Sequence, residues 1–592
     1  MNLHPLTPRK PALLATTVSA ATVILTIAIG IVIHFVLLPP VAWLPAHDAS
    51  ETANARFVLD VVASLLGPIF AQHSWWAKID GVLTLPQAIL ETITALDLTA
   101  SLAVRVSAIS LAALLVGMET NRLVLAQAIA QPSVRHIKGP KLLTGRIARS
   151  SLLAAWHRRY GADEPGIVLA NSLIMPRRLE TDHILICGGT GAGKTTILQT
   201  MMNGVIERGD KMLALDVKGD VTAKLPVRNA ALLALDDIRS RRWDLGHDVV
   251  SCADAEELAI ELIPETSDPS WSAGARRVLA CLVGFLQDSY RSGRRWSWRE
   301  LEQLLSSSIE VLHRTVLERD TATAEFLDYT RDETRKQAMS FYLVLLANAL
   351  PVVSACARMG SSKGPGFSFR QWIGHDKAPQ VLILRQSQHH PELSATIARI
   401  GLKFVADAAA GRTADAAPKP VWLMLDELPQ LGKTSAVPRL AAIGRSAGIR
   451  LVVTLQSLAQ MREIYGAEGA QHLLDNLTTK IIGRIATGKT ATDIAENWIG
   501  KRTVEYWEQS ARGAHGSPGG ERRIADVLTV DPEFLVGELG LTASLTGTPF
   551  VRALVIGHGD VCLLDWPVGL WPDRRPAQIM RSIPARITKS GS

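Results

Sequence analysis

The sequence is poor in cysteine and in charged residues. Five cysteines occur among 592 residues, and only 20% of the residues are charged. So few cysteines in so long a chain exclude a small disulfide-stabilised scaffold. A hydrophobic content of 47% with a formal net charge of only +7 excludes global disorder, because such a chain can bury a large apolar core. The mean hydropathy is positive, +0.15, which directs attention to membrane segments.

Two apolar stretches predict membrane spans. The first, 12–38, has no charged side chain and exceeds the ~20 residues that cross a bilayer. Its length and the Pro39-Pro40 that ends it favour an uncleaved anchor over a signal peptide. The second, 98–118, carries Arg105 near one end, where a long side chain can reach the interface. Because its uncharged part is short, an amphipathic surface helix is the alternative.

The flanking charges predict the orientation of these spans. The segment 39–97 holds two basic and six acidic residues, whereas 119–150 holds six basic residues and one acidic residue. The positive-inside rule then places 39–97 outside the membrane, in what would be the periplasm of a bacterium, and both the N-terminus and everything after 119 in the cytoplasm. All five cysteines fall in the predicted cytoplasmic part, as expected for reduced structural thiols.

A phosphate-binding loop follows a short apolar run at 183–187, which predicts a buried strand. The next residues fit the pattern G-x-x-x-x-G-K-[ST], and 195–208 predicts the helix that this pattern requires. Glycines let backbone N–H groups turn toward a phosphate, the lysine reaches the β- and γ-phosphates, and the following hydroxyl binds Mg²⁺. The predicted nucleotide-binding residues are Gly188, Gly189, Thr190, Gly191, Ala192, Gly193, Lys194, Thr195 and Thr196, with Thr195 also a metal ligand.

A second apolar strand, 421–425, ends in Asp426 and Glu427. An aspartate at this place can hold the Mg²⁺ shell, and an adjacent glutamate can act as general base toward water. Another strand, 449–455, ends in Gln456, which can sense the γ-phosphate. Arg445 precedes that strand: it is either an arginine finger for a neighbouring subunit or a surface arginine at a helix end.

The 232 residues that separate Lys194 from Asp426 predict an insertion in the nucleotide-binding core, and 255–371 is helical in pattern. Within it, 291–299 mixes arginine with tryptophan, which is typical either of a nucleic-acid contact or of a helix connection with buried tryptophans. The predicted organisation is a transmembrane anchor (1–120), a basic connector (121–180), a nucleotide-binding domain in two parts (181–254 and 372–570), the all-helical insertion (255–371) and a basic tail (571–592).

These motifs together resemble the conjugative coupling ATPases of the TraD/TraG/TrwB type. The resemblance covers roughly 10–570 and is most specific in Asp426-Glu427-Leu428-Pro429, in Gly444-Arg445-Ser446-Ala447-Gly448, and in the run from Leu455-Gln456-Ser457 to Tyr465-Gly466. It implies an α/β fold, namely a RecA-like P-loop NTPase core with an all-helical inserted domain, preceded by a two-helix transmembrane anchor.

The resemblance also implies a function. Such proteins are homo-hexameric ATPases of the bacterial inner membrane that use ATP and Mg²⁺ and translocate single- or double-stranded DNA. They deliver a relaxase–DNA complex, the relaxosome, to a type IV secretion channel. By motif matching, the catalytic residues would be Lys194, Glu427, Gln456 and Arg445, with Arg445 acting in the neighbouring subunit and Asp426 holding the metal.

Two alternative functions stay open from the sequence. One is a chromosomal DNA pump of the FtsK type, and the other is a coupling ATPase that recruits protein substrates for secretion. The segment 510–520, rich in glycine and serine, is predicted to be a mobile loop without an assigned role. The sequence also shows no long acidic C-terminal extension of the kind that some relatives use for docking, so relaxosome recognition by that route is not expected.

The basic excess is concentrated at the two ends of the chain. Residues 1–150 carry eleven basic and seven acidic side chains, and the tail from Asp573 carries five basic and one acidic. Because the whole chain is only +7, the body between them is almost neutral. Much of the excess therefore lies beside the predicted membrane segments, where it sets topology and can contact inner-membrane lipid.

Overall fold

The computed structural model describes residues 9–32, 78–79, 83–84, 99–129, 134–291, 293, 296–360, 366–414, 419–509, 520–544, 547–569 and 571–580. The chain divides into two compact units, one containing Met1–Ile137 with Thr503–Asp526 and the other containing Lys138–Arg502 with Val527–Ser592. The predicted loop at 510–520, apart from Gly520, lies outside the described residues, as do most of the predicted periplasmic segment 39–97 and the end of the tail, 581–592.

Two long helices of the first unit, α1 (Arg9–Val32) and α2 (Thr99–Ile129), pack against each other. Ser19 Oγ donates a hydrogen bond to the carbonyl of Gly117 at 2.7 Å. A Cβ on Gly117 would lie 2.3 Å from Cγ2 of Val23, so the absence of a side chain permits this close approach. Large apolar side chains are nevertheless left exposed on both helices: Val18, Ile24, Leu25, Ile29, Val104, Val106, Leu111, Leu114, Leu115, Val116, Met118 and Leu123.

By length and composition, a single helix among the described residues could cross a membrane, Asp332–Arg358 of the second unit. Its residues Phe341, Leu345, Ala349 and Val353 are buried, and the helix packs on neighbouring helices of that unit. In α1 the apolar helical segment Val18–Gly30 is shorter than a membrane span requires. The predicted span 12–38 continues beyond the end of α1, where the residues lie outside those that the structure describes.

The remaining described strands of the first unit form two small sheets. β1 (Lys78–Ile79) and β2 (Leu83–Thr84) pair antiparallel. β3 (Arg135–Lys138), β16 (Lys501–Gln509) and β17 (Gly520–Leu528) form a three-stranded sheet in the order β17-β16-β3. The predicted glycine- and serine-rich loop is therefore the connection between β16 and β17.

The second unit is built on an eleven-stranded mixed sheet, in which β18 pairs with β19 and the other strands follow the order β4-β20-β19-β15-β7-β14-β13-β8-β12-β9. Its strands are β4 (Leu142–Thr144), β7 (Ile184–Cys187), β8 (Lys211–Asp216), β9 (Ala230–Ala234), β12 (Val381–Arg385), β13 (Val421–Leu425), β14 (Ile449–Leu455), β15 (Thr479–Ile482), β18 (Gly540–Ala543), β19 (Pro549–His558) and β20 (Asp560–Pro567). The strands from β15 to β9 are parallel to one another.

The central strands are apolar along their whole length because both faces of the sheet are covered. Every residue of β7, β13 and β14 is buried, as expected for parallel strands between helical layers. The associated helices are α3 (Gly145–Tyr160), α4 (Lys194–Arg208), α5 (Asp220–Lys224), α12 (Phe369–Gly374), α13 (Pro391–Ala410), α14 (Ala436–Ala447), α15 (Leu458–Asp475, with a break at Gly466), α16 (Lys489–Asp493) and α17 (Pro532–Gly537). The prediction of an α/β fold is confirmed.

A helical segment begins and ends at one pair of short strands. β10 (Arg242–Trp243) and β11 (Gly366–Phe367) pair in parallel, with Arg242 opposite Gly366. Between them lie α6 (Cys252–Leu262), α7 (Pro269–Arg291), α8 (Trp298–Leu305), α9 (Ile309–Leu317), α10 (Thr321–Ala324) and α11 (Asp332–Arg358). The pairing of β10 with β11 therefore holds the two ends of the helical segment together. A further antiparallel pair, β5 (Pro165–Ala170) and β6 (Leu173–Pro176), lies in the chain between α3 and β7.

The tryptophans of the arginine- and tryptophan-rich stretch at 291–299 belong to the core. Trp296 and Trp298 are buried, and Trp296 Nε1 donates to Gln287 Oε1 at 2.8 Å. Trp298 packs edge-on against Trp243, with ring centroids 5.1 Å apart. Of the two interpretations of this stretch, the structure favours the helix connection, since neither ring is available to stack on a base.

The described part of the predicted basic tail, 571–580, packs on the second unit. The carbonyl of Ala223 accepts a hydrogen bond from the backbone N–H of Arg574 at 3.0 Å. Arg575 Nη2 donates to the carbonyl of Val227 at 2.8 Å, and the backbone N–H of Ile238 donates to the carbonyl of Ile579 at 3.0 Å. The first ten residues of the tail thus run along α5 and the loops on either side of β9.

Candidate nucleotide-binding site

The predicted phosphate loop lies between β7 and α4, as its motif requires. Gly193 is in the left-handed region, with φ +84°, and immediately precedes the first residue of α4, Lys194. A Cβ on Gly193 would lie 2.4 Å from a methyl group of Val551, so this position needs glycine both for its conformation and for space. The first N–H groups of α4, which have no partner within the helix, face the loop and favour an anion there.

Lys194 folds back over the loop. Its Nζ donates to the carbonyls of Gly188 at 2.6 Å and Gly189 at 3.3 Å, and lies 3.9 Å from Glu427 Oε2. Burial lowers the pKa of Lys194, while the neighbouring carboxylates of Glu427 and Asp426 oppose this shift. The amine thus lies between the loop and the carboxylates, and Thr195 is the next residue of the same helix.

Asp426 and Glu427 follow β13 at the carboxyl end of the sheet and share one partner. The Thr454 hydroxyl donates to Asp426 Oδ1 at 2.8 Å and accepts from the backbone N–H of Glu427 at 2.9 Å. Glu427 has φ +56°, a left-handed conformation that costs a non-glycine residue about 1–3 kcal/mol and is found most often at functional sites.

The two carboxylates are suited to hold a cation and to accept a proton. Burial is the main cause that raises the pKa of both Asp426 and Glu427. Glu427 Oε1 is buried and has no hydrogen-bond partner among the described residues. An acceptor left in this state is satisfied when a water molecule or a cation enters, so the donor set fits Mg²⁺ with bound water.

Gln456 connects the phosphate loop to the carboxylates. It follows β14, which lies between β7 and β13 in the sheet. Its Nε2 donates to Glu427 Oε2 at 3.0 Å, and its Oε1 accepts from the Thr190 hydroxyl at 3.3 Å. The structure therefore brings Lys194, Thr190, Glu427 and Gln456 together at the carboxyl edge of the parallel strands, where ligands bind in open α/β sheets.

Arg445 lies at the other edge of the sheet. It is in the last turn of α14, and its Nη2 donates to Asp182 Oδ1 at 2.6 Å. Asp182 precedes β7, whereas the phosphate loop follows β7, so the length of that strand separates Arg445 from the loop of its own subunit. The Arg445 side chain is 71% exposed. Within one chain the structure does not bring Arg445 to the other predicted site residues.

Asp216, at the end of β8, stabilises the turn that follows this strand. Asp216 is buried and accepts from the backbone N–H groups of Gly219 at 2.9 Å and Thr222 at 2.7 Å. These bonds close the turn into α5. Motif reasoning gave no site role to Lys218, which lies in that turn and whose positive charge lowers the pKa values of Lys194, Asp426 and Glu427.

Arg484 is a second residue that motif reasoning missed. It follows β15, and its carbonyl accepts from the backbone N–H of Gly189 at 2.7 Å. The signal that could have identified it is its place two residues beyond a strand parallel to β7. Recognising that place requires the strand order of the sheet, which no local pattern encodes.

Comparison with known proteins identifies the family. The model for the type IV secretion-system coupling protein DNA-binding domain matches residues 168–532. Coupling protein TraD of Escherichia coli (strain K12) is 26% identical over 350 residues, which are 58% of this chain and 46% of TraD. The chain thus spans about half the length of this curated relative.

Solved structures of TrwB share the fold. The unbound monoclinic form of the bacterial conjugative coupling protein TrwBdeltaN70 superposes with a TM-score of 0.59 at 20% identity, covering 75% of this chain and 97% of that chain. The plasmid coupling protein TrwB in complex with ADP and Mg²⁺ gives a TM-score of 0.58 at 21% identity, covering 76% and 98%. TrwB in complex with the non-hydrolysable GTP analogue GDPNP gives the same TM-score at 21% identity, covering 75% and 97%.

Proposed function

The chain belongs to the type IV secretion coupling protein family, which confirms the resemblance drawn from its motifs, and we propose that it is an ATP-driven DNA translocase of the bacterial inner membrane. The observation that carries this proposal is the convergence of Lys194, Glu427 and Gln456 at the carboxyl edge of the sheet. A positive side chain, an unsatisfied carboxylate and a linking amide are the groups that ATP hydrolysis needs.

The roles follow from the contacts. The loop from Gly188 to Thr196 holds the phosphates, and Lys194 exchanges its bonds to the loop carbonyls for bonds to phosphate oxygens. Thr195 and Asp426 would hold Mg²⁺, which neutralises phosphate charge when bound. Glu427 accepts a proton from the attacking water, a task favoured because burial raises the pKa of its carboxyl group. Gln456, bonded to both Thr190 and Glu427, relays the presence of the γ-phosphate to the base.

Arg445 serves the site of a neighbouring subunit in a homo-hexamer. Its exposure and its place at the edge opposite the phosphate loop of its own subunit support a contact across a ring interface. A guanidinium placed beside the γ-phosphate stabilises charge in the transition state. Asp182 holds this arginine in the isolated subunit.

The first unit serves as a two-helix membrane anchor. α1 and α2 pack closely through Gly117, yet both leave large apolar side chains exposed, which in water would be unfavourable. Acyl chains would cover these surfaces. The basic residues after α2 keep the second unit in the cytoplasm, with the proposed periplasmic segment 39–97 between the helices.

The second unit is the motor in this proposal. The nucleotide-binding domain comprises 181–254 and 372–570, the helical segment 255–371 is inserted in it, and 121–180 connects it to the anchor. DNA is the proposed cargo because the matching family model is that of a DNA-binding domain. DNA binding by an almost neutral body would use local basic surfaces and weaken with salt. A relaxosome and type IV secretion channel components are the proposed partners.

The substitution Lys194→Ala tests the proposal. It should abolish ATP turnover of the purified protein and plasmid transfer in cells, because the phosphates lose their cationic partner, while membrane insertion stays intact. Lys336→Ala, which removes an exposed lysine of α11, is the matched control and should transfer normally. Wild-type transfer by the Lys194 variant would overturn the translocase proposal.

A further inference from the structure

Arg484 lies beside the phosphate loop because of strand register. β15 runs parallel to β7, with Ile482 opposite Cys187. Beyond these residues the segments that follow β15 and β7 leave the sheet side by side, and Arg484 therefore lies next to Gly189. The hydrogen bond from the Gly189 N–H to the Arg484 carbonyl, at 2.7 Å, fixes this neighbourhood.

The Arg484 side chain extends over the loop. Its Nη2 lies 3.4 Å from the position that a Cβ on Gly191 would occupy. Gly540 gives the stem room, since a Cβ there would lie 3.0 Å from Cβ of Arg484. The side chain is exposed, and no carboxylate of the described residues lies within ion-pair distance of it. A guanidinium with several donors is thus kept at the loop without a protein anion to neutralise it.

Arg484 and the carboxylates lie on opposite sides of the loop. In the sheet, β15 flanks β7 on one side, whereas β14 and β13 flank it on the other. Gln456, Glu427 and Asp426 follow those two strands, and Lys194 Nζ lies 3.9 Å from Glu427. The γ-phosphate must face this second side, where water is activated. The side on which Arg484 lies therefore receives the remaining part of the nucleotide.

We propose that Arg484 binds the α- and β-phosphates of the nucleotide held in its own subunit. This inference rests on the proposed nucleotide-binding function of the loop. A charge-assisted contact to these phosphates is made equally with ADP and ATP, and it does not depend on the base. It stabilises bound nucleotide before and after hydrolysis, so Arg484 is a nucleotide-binding residue and not a finger that acts on the γ-phosphate.

Nucleotide affinity of the full-length protein in detergent tests this inference. Fluorescent ADP, GDP and a non-hydrolysable ATP analogue are titrated against wild type, Arg484→Gln, Arg484→Lys and the control Arg299→Gln, which removes an exposed arginine of α8. We expect Arg484→Gln to weaken all three by a similar factor of about 10–100, as for the loss of a charge-assisted hydrogen bond. Arg484→Lys should be intermediate, Arg299→Gln should match wild type, and KM for ATP should rise more than kcat falls.

Each other outcome has a defined meaning. Unchanged affinities in Arg484→Gln would overturn the inference while leaving the proposed function intact. A loss of affinity confined to the ATP analogue would assign Arg484 to the γ-phosphate. A loss of affinity confined to adenine or to guanine nucleotides would assign it to the nucleoside. Either result would overturn the inference. Failure of the wild-type protein to bind any nucleotide would overturn the proposed function itself. Thermal unfolding of each variant checks that a loss of affinity does not reflect misfolding.

Discussion

The side-chain amide of Gln456 donates a hydrogen bond to Glu427 Oε2 at 3.0 Å, while its oxygen accepts from Thr190 in the phosphate loop. One side chain thus joins the loop to the carboxylate that we propose as general base. The second oxygen of Glu427, Oε1, is buried without a partner among the described residues. Gln456 therefore fixes one oxygen and leaves the other for water.

The first prediction concerns the free oxygen of Glu427. Glu427→Gln should lower ATP turnover by about 10²–10⁴-fold, because an amide cannot accept a proton from water. Nucleotide affinity should change little, since the amide keeps the shape of the carboxylate. Steady-state ATPase assays and nucleotide titrations on the same preparation measure both. Unchanged turnover would remove Glu427 from the role of base.

The second prediction concerns the assignment of Arg445 to a neighbouring site. Arg445→Ala and Glu427→Gln should each be nearly inactive alone, because every interface lacks one group. When the two are mixed one to one, roughly a quarter of the interfaces combine an intact Glu427 with an intact neighbouring Arg445, and turnover should recover to that fraction. ATPase activity of reconstituted mixed oligomers measures this recovery.

Asp182→Asn is the control for the second prediction. It removes the carboxylate charge that pairs with Arg445 but keeps the arginine, so it should retain most of the activity. If Asp182→Asn were as inactive as Arg445→Ala, the arginine would act by holding the structure together. If the mixed oligomers gained nothing, action across an interface would be excluded.

The parts of the site that could be predicted are those encoded by short stretches of sequence. Cys187 to Lys194 is a continuous strand, loop and helix, so its pattern identifies its geometry. Asp426 and Gln456 each end an apolar run, and the carboxyl ends of parallel strands share one edge. Asp216 satisfies the same rule but closes a turn, which shows that the rule selects candidates without assigning their roles.

The parts that could not be predicted depend on pairing between distant strands. Arg484 reaches the loop because β15 lies beside β7, a choice made by packing across the whole sheet. The attachment of the β19–β20 hairpin to the parallel strands is likewise set by the pairing of β19 with β15 rather than by a local motif. The burial of Trp296 and Trp298 required knowledge of the helical core around them, and composition alone left two interpretations equal.

The third prediction concerns the buried charge network at the opposite edge of the sheet. Glu180 is fully buried and accepts from Arg208 at 2.7 and 2.9 Å, from Arg450 at 2.8 Å and from the Ile167 N–H at 2.9 Å. Glu180→Ala leaves the buried Arg450 guanidinium without its carboxylate partner and leaves the partly buried Arg208 with Asp210 alone, so we expect the free energy of unfolding to fall by about 3–5 kcal/mol. Thermal or urea unfolding of the full-length protein measures the loss.

Glu164 provides the matched control for Glu180. Its pair with Arg177 is 3.1 Å long, but its side chain is 73% exposed. Glu164→Ala should therefore cost no more than about 1 kcal/mol, because solvent screens the pair. Equal losses for the two substitutions would contradict the claim that burial makes the Glu180 network essential.

The last prediction concerns two histidines that must stay neutral, His183, which is buried, and His558, which is partly buried. His183 Nδ1 accepts from the Leu451 N–H at 3.1 Å, so its Nε2 carries the hydrogen and donates to the carbonyl of Ala441 at 3.0 Å. Burial lowers the pKa of His183 to about 4 and likewise lowers the pKa of His558 to about 4. An unfolded histidine has a pKa of about 6.5.

Between pH 6.5 and 4 the unfolded chain therefore binds protons that the folded chain does not. Stability is fully present above pH 6.5 and is lost as the pH falls through this window, by about 3 kcal/mol for each histidine at most. His558→Gln can still bond the Thr479 hydroxyl, now at 3.0 Å from His558 Nε2, but it cannot titrate. The raised pKa values of Asp426 and Glu427 make stability rise as the pH falls, which opposes the effect of the histidines. Because this contribution is the same in wild type and in His558→Gln, the difference between the two proteins reports on His558. The unfolding midpoint of the variant should fall less steeply with pH than that of wild type, and identical slopes would show that His558 carries no such linkage.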